Sequence, residues 1–386
     1  MPNAFADAAR LRDRLKTWAT EAAYPLWWRA GADRAKGGFF EKLDQEGAAV
    51  DGPRRGRVLP RQIYSFAIAG DLGWTGPWRE AVEHGLAFYL SRYRRPDGLF
   101  RALVGPNGES LDETADLYDQ AFAMFALAAV AKALPARAEE AAAIATAVRE
   151  RLIAERKHPV AGFHQAHPPV APLQSNPHMH LFEAVLAWNE IGGDRTWRAL
   201  ADEIAELALS RFIHGPSGQI REFFDLDWNP APGVEGRICE PGHQFEWGWL
   251  LLRWGRLAGR ADAIAAAVRM IDAAETHGTD LARGVAINAL LDDFSVHDAG
   301  ARLWPQTERI KAAVLAAEIT GDPKYWDMAA AGAQGLLAYL RTPMPGLWRD
   351  KLQPDETFVE EPAPASSFYH IVLGILEMDR AVSAAS

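Results

Sequence analysis

The chain has 386 residues, 49% apolar and 24% charged, which suits a soluble globular protein long enough for one large domain. Its formal charge of −10 argues against a nucleic-acid or anionic-membrane partner, and its one cysteine, Cys239, excludes an internal disulfide or a cysteine zinc cluster. No run reaches the roughly 18 to 20 apolar residues of a membrane span, and the first sixteen residues are charged and amphipathic, so the expected location is the cytoplasm.

In chain order, apolar residues recur at helical spacing over 4–24, with Leu11, Leu15, Trp18 and Ala22 in register. Pro25 is expected to end or kink that helix. Residues 37–43 make a short hairpin strand at best. A basic loop, Arg54-Arg55-Gly56-Arg57, precedes helices over 58–70 and 78–93. Further helices are predicted over 116–134, 136–157, 177–191, 194–212, 242–257, 261–277, 304–320, 323–341 and 366–381. The loops at 158–177 and 215–241 are long and rich in Gly, Pro and aromatics, as functional loops are.

Related turns punctuate the helices: Gly70-Asp71, Gly193-Asp194, Gly259 with Asp262, and Gly321-Asp322. The glycine can end one helix and the aspartate can cap the next. Leu134-Pro135-Ala136 supplies a degenerate turn inside the longest interval. The spacing predicts six helical hairpins of about 60 residues each. A closed toroid needs no polar terminal caps, so the expected fold is an all-α (α/α)6 barrel over 1–386, with long loops and short hairpins at one end. Counting back about 13 residues from each turn finds a polar residue near each helix start: Asp119 or Gln120, His180, Glu246, Glu308 and His370. In the first repeat the nearest match is Arg61. In a closed barrel these positions converge on one funnel.

Pro241-Gly242 reads as a helix start, and His243 and Glu246 then project from one face of its first turn. His180 and Glu183 repeat that spacing. His178 and His180 point apart, which argues against a shared metal, although His180, His243, Glu246 and His370 together could hold one. Arg61, among apolar helical neighbours, needs an acid such as Glu308 or a bound anion. Trp304 could wall a sugar pocket, and fourteen tryptophans offer many flat faces for stacking. No phosphate-cradling loop, nucleophile elbow or dinucleotide fingerprint is present. Histidine-based proton transfer remains, or hydrolysis by two carboxylates such as Glu246 and Glu308, or sugar binding without catalysis.

At five segments the sequence resembles the N-acylglucosamine 2-epimerase superfamily. They are Arg61-Gln62-Ile63-Tyr64-Ser65-Phe66, Asn176-Pro177-His178-Met179-His180-Leu181-Phe182-Glu183-Ala184, Pro241-Gly242-His243-Gln244-Phe245-Glu246-Trp247, Trp304-Pro305-Gln306-Thr307-Glu308 and Tyr369-His370-Ile371. They run in family order across nearly the whole chain. The resemblance implies an (α/α)6 barrel, no metal, no organic cofactor, and proton transfer at a sugar C2 through a cis-enediolate. It implies an active-site core of Arg61, His180, His243, Glu246 and His370, with Asn176, Trp304 and Glu308 lining the pocket. Tyr64 and Arg57 join them as candidate substrate contacts. His243 and His370 are the expected proton-transfer pair, with Glu246 orienting His243 or relaying a ring-opening proton. The second segment is most similar to the D-mannose isomerase branch, so the expected reaction is D-mannose to D-fructose. A 2-epimerase of N-acylglucosamine or cellobiose is the alternative. Arg54, Arg55 and Arg57 could instead read a phosphate or sulfonate on the sugar. The expected partner is a small sugar, the expected assembly a monomer or homodimer.

Overall fold

The computed structural model describes residues 4–386. It opens with α1 (Ala4–Trp18) and α2 (Tyr24–Arg29), joined by a π-helical turn, Ala19–Ala23. Pro25 therefore does not end the helical path. The wide turn, in which Tyr24 N–H bonds Ala19 O, leaves room for a residue that lacks an N–H.

From there inner and outer helices alternate. Inner α3 (Val58–Ala67) is followed by outer α4 (Trp78–Arg92), inner α5 (Leu117–Ala133) by outer α6 (Ala138–Arg156), and inner α7 (Ser175–Glu190) by outer α8 (Arg195–Leu207). Inner α9 (Pro241–Ala258) precedes outer α10 (Ala261–Gly278), inner α11 (Trp304–Thr320) precedes outer α12 (Lys324–Tyr339), and α13 (Ser366–Ala385) is the last inner helix. Each inner helix packs on the next, and α13 packs back on α3, so the ring closes. Five hairpins are consecutive in the chain. The sixth pair is made by α13 and α1, the last and first helices. Inner helices are buried on nearly every side, as α9 and α11 show, whereas α8 buries one stripe: Trp197, Leu200, Ala201 and Ile204.

The turns follow their chemistry in part. Gly259 and Gly321 end α9 and α11 in the left-handed region, at φ of 68° and 70°. Asp194 caps α8 by accepting from the N–H groups of Thr196 and Trp197. Gly70 has another role: a Cβ there would lie 2.8 Å from the Trp78 ring.

Short antiparallel strands gather at the N-terminal ends of the inner helices. Lys42–Leu43 pairs with Ala49–Val50 and with Ala363–Pro364, and Leu173–Gln174 pairs with Phe223–Phe224. In five of the six repeats one buried side chain clasps this loop layer to the barrel. Gln120 bonds both backbone groups of Phe100, Gln244 those of Ile220, and Gln306 those of Ala286. Gln62 donates to Phe40 O, and His178 Nε2 accepts from Phe163 N–H. These bonds satisfy loop backbone that would otherwise be buried unpaired. No described helix is long and apolar enough to cross a membrane.

Candidate active site

The clasps set the depth of the site. Two residues beyond each clasp stand Tyr64, Phe122, His180, Glu246 and Glu308, and His370 takes the same level on α13. The register expected for the second repeat is corrected accordingly: Gln120 is a clasp, and Asp119 is buried under Arg57 at 3.8 Å rather than facing the funnel. At the strand end of the ring lies a cavity of about 170 Å³. Arg61, Asn176, His180, His243, Glu246 and His370 all line it, with Trp304. Tyr64 does not: it stacks on Phe125 and faces a separate cavity at the opposite end of the barrel. Glu308 stands behind His370 rather than on the cavity wall.

Two histidines are built alike. His243 Nδ1–H donates to Glu222 Oε2 at 3.0 Å, and His370 Nδ1–H donates to Glu308 Oε1 at 2.8 Å. Each carboxylate thereby fixes a tautomer and leaves Nε2 free for a substrate. The expectation that Glu246 orients His243 is corrected: Glu222 does so, and Ser175 Oγ–H in turn donates to Glu222. Trp304 lies against both imidazoles, 5.0 Å from the His243 ring centroid and 5.7 Å from that of His370.

The electrostatics of the two pairs are opposite. Burial works to lower the His243 pKa, but the Glu222 and Glu240 carboxylates outweigh it and push it up to about 10. Burial, followed by the Arg61 and Lys311 cations, holds His370 well below the usual histidine range. Near neutrality the cavity is thus faced by one imidazolium and one neutral imidazole, an acid and a base. His180, 3.6 Å from Glu183 and 3.7 Å from Glu246, is driven by burial down to about 3 and is also neutral. Burial, followed by the charges of Glu308 and Glu183, holds the Glu246 carboxyl well above its ordinary value. Both its oxygens lack a hydrogen-bond partner, so a protonated Glu246 can donate into the cavity.

Arg61 does not pair with Glu308, whose oxygens are taken by His370 and Lys311. It donates to the Tyr118 hydroxyl at 2.7 Å and lies 4.1 Å over the Phe122 ring. No described carboxylate comes within ion-pair distance of it, which leaves its charge available to an oxyanion. Of the basic loop, Arg54 is spent on Asp33 and Arg55 on Glu41. Only Arg57 faces a pocket, an outer cavity of about 550 Å³ that shares Tyr118 and Asn176 with the inner one. Arg302, half exposed, also lines the inner cavity.

Three buried groups, His180–Glu183–Glu246, Glu222–Glu240–His243 and Glu246–Glu308–His370, each bring donor atoms within 4.8 Å. No described group unites His180, His243, Glu246 and His370. His243 and His370 each hold a proton against a glutamate, and Lys311 lies 2.6 Å from Glu308, so a divalent cation in the last group would meet a cation already in place. Glu222 and Lys311 escaped the sequence reading. Glu222 lies in a long loop with nothing local to mark it. Lys311 did carry a signal, a charge inside Ile310-Lys311-Ala312-Ala313-Val314 and three residues after Glu308.

Residues 38–374 match the N-acylglucosamine 2-epimerase (GlcNAc 2-epimerase) family. A Rhizobium meliloti protein named mannose-6-phosphate isomerase is 50% identical over 370 residues, covering 95% of this chain and 96% of that one. A D-mannose isomerase from Thermobifida fusca is 28% identical over 380 residues, 87% and 89% of the two chains. In fold, the chain is similar to cellobiose 2-epimerase from Bacillus thermoamylovorans, with a TM-score of 0.87 at 16% identity, covering 96% and 100% of the two chains.

Proposed function

The chain belongs to the N-acylglucosamine 2-epimerase family and is a sugar isomerase or epimerase, and within that family we propose that it interconverts D-mannose and D-fructose. The observation that carries this reading is the pair of histidine–glutamate dyads facing one cavity across Trp304, with carboxylates raising the pKa of His243 and burial lowering that of His370. With the open-chain aldose bound, His370 Nε2 takes the C2 proton while His243 Nε2–H protonates O1, giving the enediol. His243 then accepts the O2 proton, and His370 returns its proton to C1, leaving the ketose. Arg61 and protonated Glu246 stabilise negative charge on O1 and O2 as it develops. An aldose–ketose isomerase uses this acid–base asymmetry directly. A 2-epimerase would need His243 Nε2 to address C2 from the opposite face. The reading needs no metal.

A second reading places a phosphate at C6. It is favoured by the name of the Rhizobium meliloti relative and by Arg57 and Arg302 at the mouth of the site. One experiment separates them: proton NMR in deuterated water with D-mannose, mannose 6-phosphate, N-acetylmannosamine and cellobiose offered in parallel. The expected product is D-fructose, unchanged by a chelator, with solvent deuterium at C1 in the fraction of turnovers in which the His370 proton exchanges with water before its return. Turnover of the phosphate more than about 10-fold faster would move the reading to the phosphorylated sugar, and a 2-epimer as product would overturn the isomerase. Loss of activity with chelator would refute the metal-free mechanism.

Gly242 offers a test of Trp304. A Cβ at 242 would lie 2.5 Å from the Trp304 ring and 3.0 Å from Pro305. Gly242→Ala must shift the indole that both histidines rest on. Steady-state kinetics should show kcat/KM lower by about 10- to 100-fold in a folded protein.

A further inference from the structure

Lys311 is fully buried and does not reach the cavity. Its Nζ lies 2.6 Å from Glu308 Oε2 and 3.8 Å from the centroid of the Trp249 ring. Three buried carboxyls, Glu183, Glu246 and Glu308, crowd the floor of the site beside it. Among the described residues no other lysine or arginine comes within ion-pair distance of any of them. Charged neighbouring acids in a low-dielectric interior repel one another, so the position of the one cation decides which is held in place. Lys311 stands against Glu308. Glu183 is held separately, by the Tyr369 hydroxyl at 2.7 Å, and Glu246 has no hydrogen-bond partner.

We propose that Lys311 is the positioning residue of the reaction: its ammonium, against Oε2, holds Glu308 as the acceptor for His370 Nδ1–H, and it leaves Glu246 without a cation beside it. This rests on the isomerase reading, in which His370 must present a bare Nε2 to C2. Glu308 held in place as the acceptor from Nδ1–H is what guarantees that tautomer. With Lys311 gone Glu308 Oε2 loses the ammonium that holds it, the carboxyl can turn from His370, and the ring is free to adopt the other tautomer. The low pKa of His370 is in keeping, since Lys311 is one of the cations that lower it.

The test is steady-state kinetics of Lys311→Met, Glu308→Gln and the double variant, on the sugar that the wild type turns over. Lys311→Met should lower kcat about 10- to 100-fold with KM within about 3-fold, because Lys311 touches no substrate. The double variant should be within about 2-fold of Glu308→Gln alone, because the lysine acts through that carboxylate. Wild-type kcat in folded Lys311→Met, or losses that multiply in the double variant, would overturn the proposal. Should Lys311→Met fail to fold, the comparison of Glu308→Gln with the double variant, which removes both buried charges, decides alone. A wild type that exchanges no C2 proton would instead sink the isomerase reading, a separate outcome.

Discussion

His370→Asn is expected to lower kcat by about 10⁴-fold, at the upper end of what a general base contributes. The size follows from the task. A C2–H bond beside an aldehyde is a weak acid, and the proposed mechanism asks one imidazole both to take that proton and to return it. Its counterpart across Trp304, His243, is already protonated. Asparagine keeps a polar group against Trp304 but has no basic nitrogen. Substrate binding should persist, because Arg61, Asn176 and Trp304 still line the cavity. The measurement is C2-proton exchange into deuterated water alongside ketose formation. Both should vanish together, and exchange above about 1% of the wild-type rate would mean that another group is the base.

The barrel was legible because its inner helices are bounded by residues with few alternatives. Gly259 and Gly321 end helices in a conformation that other residues resist, and Asp194 has the short acceptor a helix start requires. Those signals are local, so a single sequence shows them, and their spacing shows the repeat. Depth in that repeat brings His180, Glu246 and His370 to one cavity, with Glu308 behind His370. What stayed hidden was made by pairing across distance. Glu222 meets His243 only because Phe223–Phe224 joins Leu173–Gln174, folding the loop back over the start of α9. Gln62, Gln120, Gln244 and Gln306 look like ordinary polar residues near helix starts, yet each is buried against loop backbone. The sequence pattern could not separate a clasp from a site residue one or two positions away, which is why Asp119 and Gln120 were drawn toward the funnel. Tyr64 failed for a related reason: its motif neighbour Arg61 faces the cavity, but three residues further along α3 the side chain reaches the barrel axis.

Glu222→Gln should alter the reaction through pH, and the sign is fixed by the two forces on His243. Burial lowers that imidazolium, and the carboxylates of Glu222 and Glu240 raise it to about 10. As a proton donor to O1, His243 works while protonated, so activity is present below its pKa and is lost as pH rises through about 10. Glutamine keeps the shape and can still accept from Nδ1–H, but it carries no charge. Burial then has only the weaker hold of Glu240, 3.6 Å away, to overcome. The pKa of His243 falls, and the basic limb of the kcat/KM profile moves from about 10 toward neutrality. At pH 8 the loss should reach about 10²-fold, the scale of a misplaced general acid, whereas the loss at pH 6 should be much smaller. The acid limb, set by His370, should stay where it is, since Glu222 does not touch that dyad. A uniform loss at every pH would mean that Glu222 only shapes the loop. A basic limb still near the wild-type position would mean that His243 is not the acid, and the proton for O1 would then have to come from Glu246, the other protonated group on the cavity wall.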